Sequence, residues 1–188
     1  MIERTWWYCA CVIVSACGSS GAQPASSPVP AASPFHIEGA IRGLGTTRIL
    51  NEPRAVRRTI AAPVDRVWRT LPGVYDALGI VGTGADEEAK VFGIVDFRPR
   101  RLDGRALSTF VNCGMGITAI PKADEYDVTM SVLTHVKPGA EGETLLATSV
   151  VASAKPRVES GNSVYCDSQG ALEARIADLV LRTLDGAR

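Results

Sequence analysis

The chain has 188 residues, 46% apolar and 21% charged, with 20 basic against 20 acidic side chains and a pI near 6.7. That length accommodates one globular domain and hardly a second. Zero net charge argues against a nucleic-acid or acidic-polymer binder, which needs a basic surplus to release counterions. Low charge together with ordinary aliphatic content argues against wholesale disorder.

Met1–Thr5 is a short polar stretch, and Trp6–Ala16 is an apolar run of eleven residues. As a helix it rises only about 16 Å, roughly half the hydrocarbon core of a bilayer, so it reads as the apolar region of a signal peptide over residues 1–16. It ends in Val14-Ser15-Ala16-Cys17, followed by Gly18-Ser19-Ser20. This tetrapeptide resembles the lipobox of bacterial lipoproteins: an aliphatic residue, two small residues, then cysteine. The resemblance implies that Cys17 is lipidated and becomes the mature N-terminus. With Gly18 rather than Asp next, it implies an outer-membrane anchor facing the periplasm rather than retention at the inner membrane.

Residues 17–34 follow as a tether: Gly18–Pro34 holds four Pro, five Ser, four Ala and two Gly in seventeen residues. Such a segment cannot bury enough apolar surface to offset its ordering entropy, and as a flexible chain it spans roughly 23 Å. The working domain is then 35–188. Cysteine arithmetic sharpens after processing. Cys9 and Cys11 leave with the signal peptide and Cys17 carries lipid, so Cys113 and Cys166 remain. In an oxidising compartment the simplest outcome is one disulfide, worth about 4 kcal/mol in the chain-entropy model; free thiols and metal ligands are the alternatives. A metal would want a further nearby ligand, and the two histidines, His36 and His135, are not close to either cysteine in sequence.

In chain order, Phe35–Asn51 reads as a loose lead-in with scattered glycines. Arg54–Ala61 reads as a first strand. From Pro63 the apolar positions Val64, Val67, Trp68, Leu71, Val74, Tyr75 and Leu78 form the stripe of a core-facing helix, with Gly79 as its stop. Pro72-Gly73 is expected to kink or split it. The period then changes to two, which predicts strands near 90–98, 105–112, 126–137 and 143–155, with Arg98–Gly104 and Lys137–Gly142 as turns. In the third of these, Val128, Met130, Val132 and Val136 face one way, while Asp127, Thr129, Ser131, His135 and Lys137 mostly face the other. That pattern predicts one packed and one wet face. A last helix over 168–185 is expected to open at Ser168. A Cys113–Cys166 bond would pin its start to the end of the 105–112 strand.

The expected fold is therefore α+β: a single domain with an antiparallel sheet of about five strands and two helices on one face, order β-α-β-β-β-β-α. This order, with Ala62-Pro63-Val64-Asp65-Arg66-Val67-Trp68 entering the first helix, resembles the helix-grip superfamily of START and polyketide-cyclase-like proteins. The combination with a lipid anchor and tether is also similar to accessory lipoproteins of outer-membrane assembly. The first resemblance implies a candidate apolar ligand pocket at Trp68, Leu71 and Tyr75, between the long helix and the sheet.

Chemistry-bearing motifs are sparse. His135 reads as a solvated residue on the polar face. Gly161-Asn162-Ser163-Val164-Tyr165 lacks the second glycine of a nucleophile elbow. The runs beginning at Gly43, Gly82 and Gly114 lack the dinucleotide and P-loop fingerprints and read as turns. Asp86-Glu87-Glu88 and Asp124-Glu125-Tyr126-Asp127 lack the ligand spacing of a calcium loop. No cofactor and no metal is implied. Arg98-Pro99-Arg100-Arg101, with Arg105 nearby, is the densest positive patch and suits contacts to carboxylate or phosphate, or simply solubilises a hairpin tip. The leading functional reading is a lipid-anchored, non-enzymatic envelope protein, an accessory or scaffold subunit that binds a protein partner and no nucleic acid. The alternatives are a carrier of a small apolar ligand and a hydrolase assembled from dispersed Ser, His135 and Asp.

Overall fold

A computed structural model describes residues 55–157 and 161–186. Cys17, His36, the tether and the proposed signal peptide lie outside the described residues. Strand β1 (Val56–Ile60) leads through Pro63 into helix α1 (Val64–Ala77). The helix ends as the sequence predicts. Gly79 takes φ 76°, its N–H donates to the Asp76 carbonyl at 2.9 Å, and the Ile80 N–H reaches back to Tyr75 O at 3.0 Å. That pairing satisfies the last carbonyls with glycine in the left-handed position. The expected break at Pro72-Gly73 does not occur: α1 is continuous. Pro72 and Gly73 lie on the exposed face, so the carbonyl freed by the missing N–H meets water. The buried stripe Val67, Leu71, Val74, Tyr75 stays in register.

Strands β2 (Gly84–Asp86) and β3 (Val91–Phe97) follow, then a small separate hairpin, β4 (Arg101–Leu102) and β5 (Arg105–Ala106). A 3-10 turn at Leu107–Thr109 leads to β6 (Val111–Asn112). Helix α2 (Lys122–Glu125) precedes the two long strands β7 (Asp127–Pro138) and β8 (Thr144–Lys155), and β9 (Val164–Ser168) runs into α3 (Ala171–Gly186). The described fold is α+β, but its main sheet has seven strands rather than five: β2-β3-β7-β8-β9-β6, with β1 also paired to β8. Every strand pairing described is antiparallel. The predicted 105–112 strand is broken into β5, the 3-10 turn and β6. Ser168 ends β9 instead of opening α3. The missed strands are two to five residues long, too short for a period of two to register.

The outer edge of β8 is divided. Residues 144–148 pair with β1 and residues 152–154 with β9, while β7 runs along the whole inner edge. Disulfide Cys113–Cys166 joins the end of β6 to β9, rather than to the start of α3.

Helices α1 and α3 pack on each other and cover one face of the sheet, α1 against β7 and α3 against β8 and β1. Arg66 Nη2 on α1 donates to Leu184 O on α3 at 3.0 Å. The covered face carries the cross-strand pairs Val128–Ala154, Met130–Ala152, Val132–Val150 and Val136–Leu146, all buried. The second face is not simply wet. Leu133 and Ala147 are 1% exposed there, and Ser149 is equally buried. Leu133 lies across Gly93, its register partner on β3, whose φ is 155°. A Cβ at Gly93 would collide with the Val132 carbonyl, so only glycine lets β3 approach β7 this closely.

Candidate functional site

The arginine segment owes its shape to the end of β3. Between Ile94–Val132 and Phe97–Met130, two residues, Val95 and Asp96, face the single Ser131. Asp96 sits at φ 53° with its N–H donating to Ser131 Oγ at 3.0 Å. This bulge re-aims the strand and carries Arg98 and Arg100 to the end of the sheet where β7 begins. The β4–β5 hairpin then turns on Asp103-Gly104, both at positive φ (50° and 69°), the arrangement a two-residue Asp-Gly turn requires.

The four predicted arginines do not converge on one point. Arg98 and Arg100 line an open surface cavity of about 150 Å³ together with Pro99, Asp127 and Val128. Arg100 Nη1 stands 3.0 Å from Asp127 Oδ1. Arg157, beyond the end of β8, donates from Nε to the same oxygen at 3.0 Å and from Nη2 to Tyr126 O at 3.3 Å. Arg101 donates to Gly104 O at 3.0 Å. Arg105 stands 4.0 Å from Asp103, whose carboxylate is already gripped at 2.9 and 3.2 Å by Arg175 of α3. Arg100 and Arg157 thus share one carboxylate, and Arg98 lines the same open cavity. Arg157 was invisible to sequence reasoning, because only the Asp127–Lys155 register brings it to Asp127.

Trp68, Leu71 and Tyr75 do share one space, between α1 and the sheet, and that space is filled. Leu71 and Tyr75 have no exposed surface. Phe92 meets Tyr75 edge-on at 5.1 Å and Trp68 at 6.0 Å, and the Lys90 ammonium lies 5.1 Å over the Trp68 ring. The Tyr75 hydroxyl is paired with Thr134 Oγ1 at 2.8 Å, and Thr134 with Thr148 Oγ1 at 2.9 Å. Burial pushes the Tyr75 phenol well above its ordinary range.

His135 is half-buried rather than solvated, opposite Val91 and Ala147 in the ladders. Burial lowers its pKa, the nearby Lys137 cation lowers it further, and a contact with the Ala89 backbone opposes both. Asp86 caps its own turn by accepting from the Ala89 N–H at 2.9 Å, in a loop where Ala85–Glu88 line an open cavity of about 280 Å³. Among the described residues no group of three His, Cys, Asp or Glu could hold a metal ion. Comparison with family models, curated proteins and solved structures finds no match to this chain.

Proposed function

We propose that the chain is a lipid-anchored, non-enzymatic envelope protein that acts as an accessory or scaffold subunit by binding a protein partner. The observation that carries this reading is an open cavity lined by Arg98 and Arg100, whose single carboxylate, Asp127, is contacted by two guanidinium groups, Arg100 and Arg157. Planar guanidinium forks favour bidentate carboxylate or phosphate groups, so the partner surface is acidic. The filled space around Leu71, Tyr75 and Phe92 favours binding at this surface over carriage of an apolar ligand inside. Anchorage rests on the Val14–Cys17 lipobox resemblance and the proline-rich segment after it.

The test is affinity purification of the native protein from its own membranes, comparing the parent with a variant carrying Arg98→Ser, Arg100→Ser and Arg157→Ser. A stoichiometric partner of the parent is expected to be retained at least tenfold less by the variant, in a salt-sensitive manner. Equal, salt-insensitive retention rejects the arginine surface.

A further inference from the structure

The segment between β6 and α2 is a closed loop whose apolar side chains point away from the core. Ile117 is fully exposed, Met115 is 58% exposed and Ile120 47%. Residues 114–121 carry no charge. Three backbone hydrogen bonds close the loop on itself: Gly116 N–H to Ile120 O at 2.8 Å, Ala119 N–H to Gly116 O at 3.2 Å, and Lys122 N–H to Gly114 O at 2.9 Å. At the base, Gly114 N–H donates to Asn112 Oδ1 at 2.9 Å, Met115 bridges to Pro121, and Cys113 is bonded to Cys166. Thr118 Oγ1 donates to Glu125 Oε1 at 3.3 Å, behind the tip. Gly114 takes φ 79°, the left-handed region that favours glycine, and a Cβ at Gly116 would displace the Glu125 carboxylate and crowd the Ile120 carbonyl.

We propose that this loop is a second membrane attachment, inserting Met115, Ile117 and Ile120 into the bilayer face to which the N-terminal lipid holds the chain. The proposal rests on the anchored reading given above for its choice of occupant. Three features favour a bilayer. First, the loop is an uncharged tip closed on itself by three backbone hydrogen bonds, so its apolar side chains can enter the interfacial zone while the peptide groups at the tip stay hydrated at headgroup level. Second, the N-terminal segment joins the sheet close by. Val56 Cγ2 is 3.8 Å from where a Cβ of Gly170 would stand, and Gly170 lies four residues from Cys166. The loop base is therefore within about 20 Å of that junction. Third, an N-terminal anchor keeps the loop at high effective concentration near the surface, which makes even weak insertion effective. The charges around this end of the sheet nearly balance, Lys122, Arg98, Arg100, Lys155 and Arg157 against Asp96, Asp124, Glu125 and Asp127. Apolar area, not headgroup charge, drives the insertion.

The test uses the processed full chain reconstituted in protein-free phosphatidylcholine vesicles, with a polarity-sensitive fluorescent amino acid at position 117 or, as control, at position 181. The fluorophore at 117 is expected to be quenched by spin-labelled lipid and the one at 181 to stay in water, with little change on adding salt or anionic lipid. Withdrawing one such side chain fully from water strengthens partitioning about tenfold. A variant with Met115→Ser, Ile117→Ser and Ile120→Ser is therefore expected to partition at least tenfold more weakly. A fluorophore at 117 that stays in water in protein-free vesicles overturns the proposal, and protection seen only in native membranes overturns it in favour of a protein partner. The mass of the N-terminal peptide reads the anchor separately. An unacylated chain that is still quenched at 117 refutes the anchor and keeps the loop insertion.

Discussion

Glu173 is the one buried carboxylate among the described residues. It sits in the first turn of α3, where the helix dipole favours an anion, and Oε1 accepts a 2.6 Å hydrogen bond from Ser168 Oγ. Oε2 has no hydrogen-bond partner. Burial raises the Glu173 pKa, and the Ser168 bond only partly offsets this. A carboxyl whose folded pKa is raised contributes stability fully below its unfolded pKa, and loses it as pH rises through the folded value. Glutamine mimics the protonated form and keeps the Ser168 bond. Glu173→Gln is therefore expected to raise the denaturation midpoint at neutral pH, with the gain vanishing as pH falls below the usual glutamate range. Urea titrations of both proteins at several pH values check this; a gain that persists at low pH contradicts it. The Tyr75–Thr134–Thr148 chain is the opposite kind of buried polar group, since each hydroxyl has a partner and can hold one arrangement of the core.

Among the elements, α1 tolerates two residues that ordinarily disfavour a helix. Gly73 has no positive φ, and a Cβ there would meet nothing within 4 Å. Gly73→Ala is thus expected to stabilise the protein by about 0.5–1 kcal/mol, read as a shift of the urea midpoint at unchanged slope. A loss of stability instead would mean that α1 is not the regular helix described. The long strands were legible in the sequence because β7 and β8 each run twelve residues, enough to display alternation. The Arg98–Gly104 segment read as one turn contains strand β4 before the Asp103-Gly104 turn. Helices α1 and α3 were legible from their apolar stripes, but the four-residue α2 was not. The short strands β2, β4, β5 and β6 were not, because two or three residues carry no period. Neither could the pattern show that Leu133 is buried on the supposedly wet face, since that depends on Gly93 opposite it. At the candidate site, the arginines were visible as a cluster. Their division between Asp127 and Asp103, and the arrival of Arg157, depend on register across residues far apart in the chain. Exposure of Met115, Ile117 and Ile120 was equally hidden, since apolar residues in a glycine-containing loop read the same whether they point inward or outward.

For the whole molecule, Cys113–Cys166 is the one covalent tie between distant segments of the described chain. Its loop encloses β7 and β8, the two strands on which the sheet is built. The double variant Cys113→Ser, Cys166→Ser is expected to lose about 2–4 kcal/mol of stability, measured by urea denaturation against the oxidised parent, and reduction of the parent should give a similar loss. An unchanged midpoint would show that the strands hold without the bond. The shared edge of β8 has a mechanical meaning as well. Whatever pulls on the N-terminal segment pulls first on β1, a five-residue strand with a single buried side chain, Ile60. Its far end is fastened where Thr144 Oγ1 donates to Ala62 O at 2.6 Å. Tension from a surface would thus peel β1 away while β9, secured through Cys166, stayed in place. The half of β8 so uncovered is a row of open backbone donors and acceptors ready to take up another strand. In a chain held at its N-terminus, β1 is both the joint that takes the load and the guard on that stretch of the β8 edge.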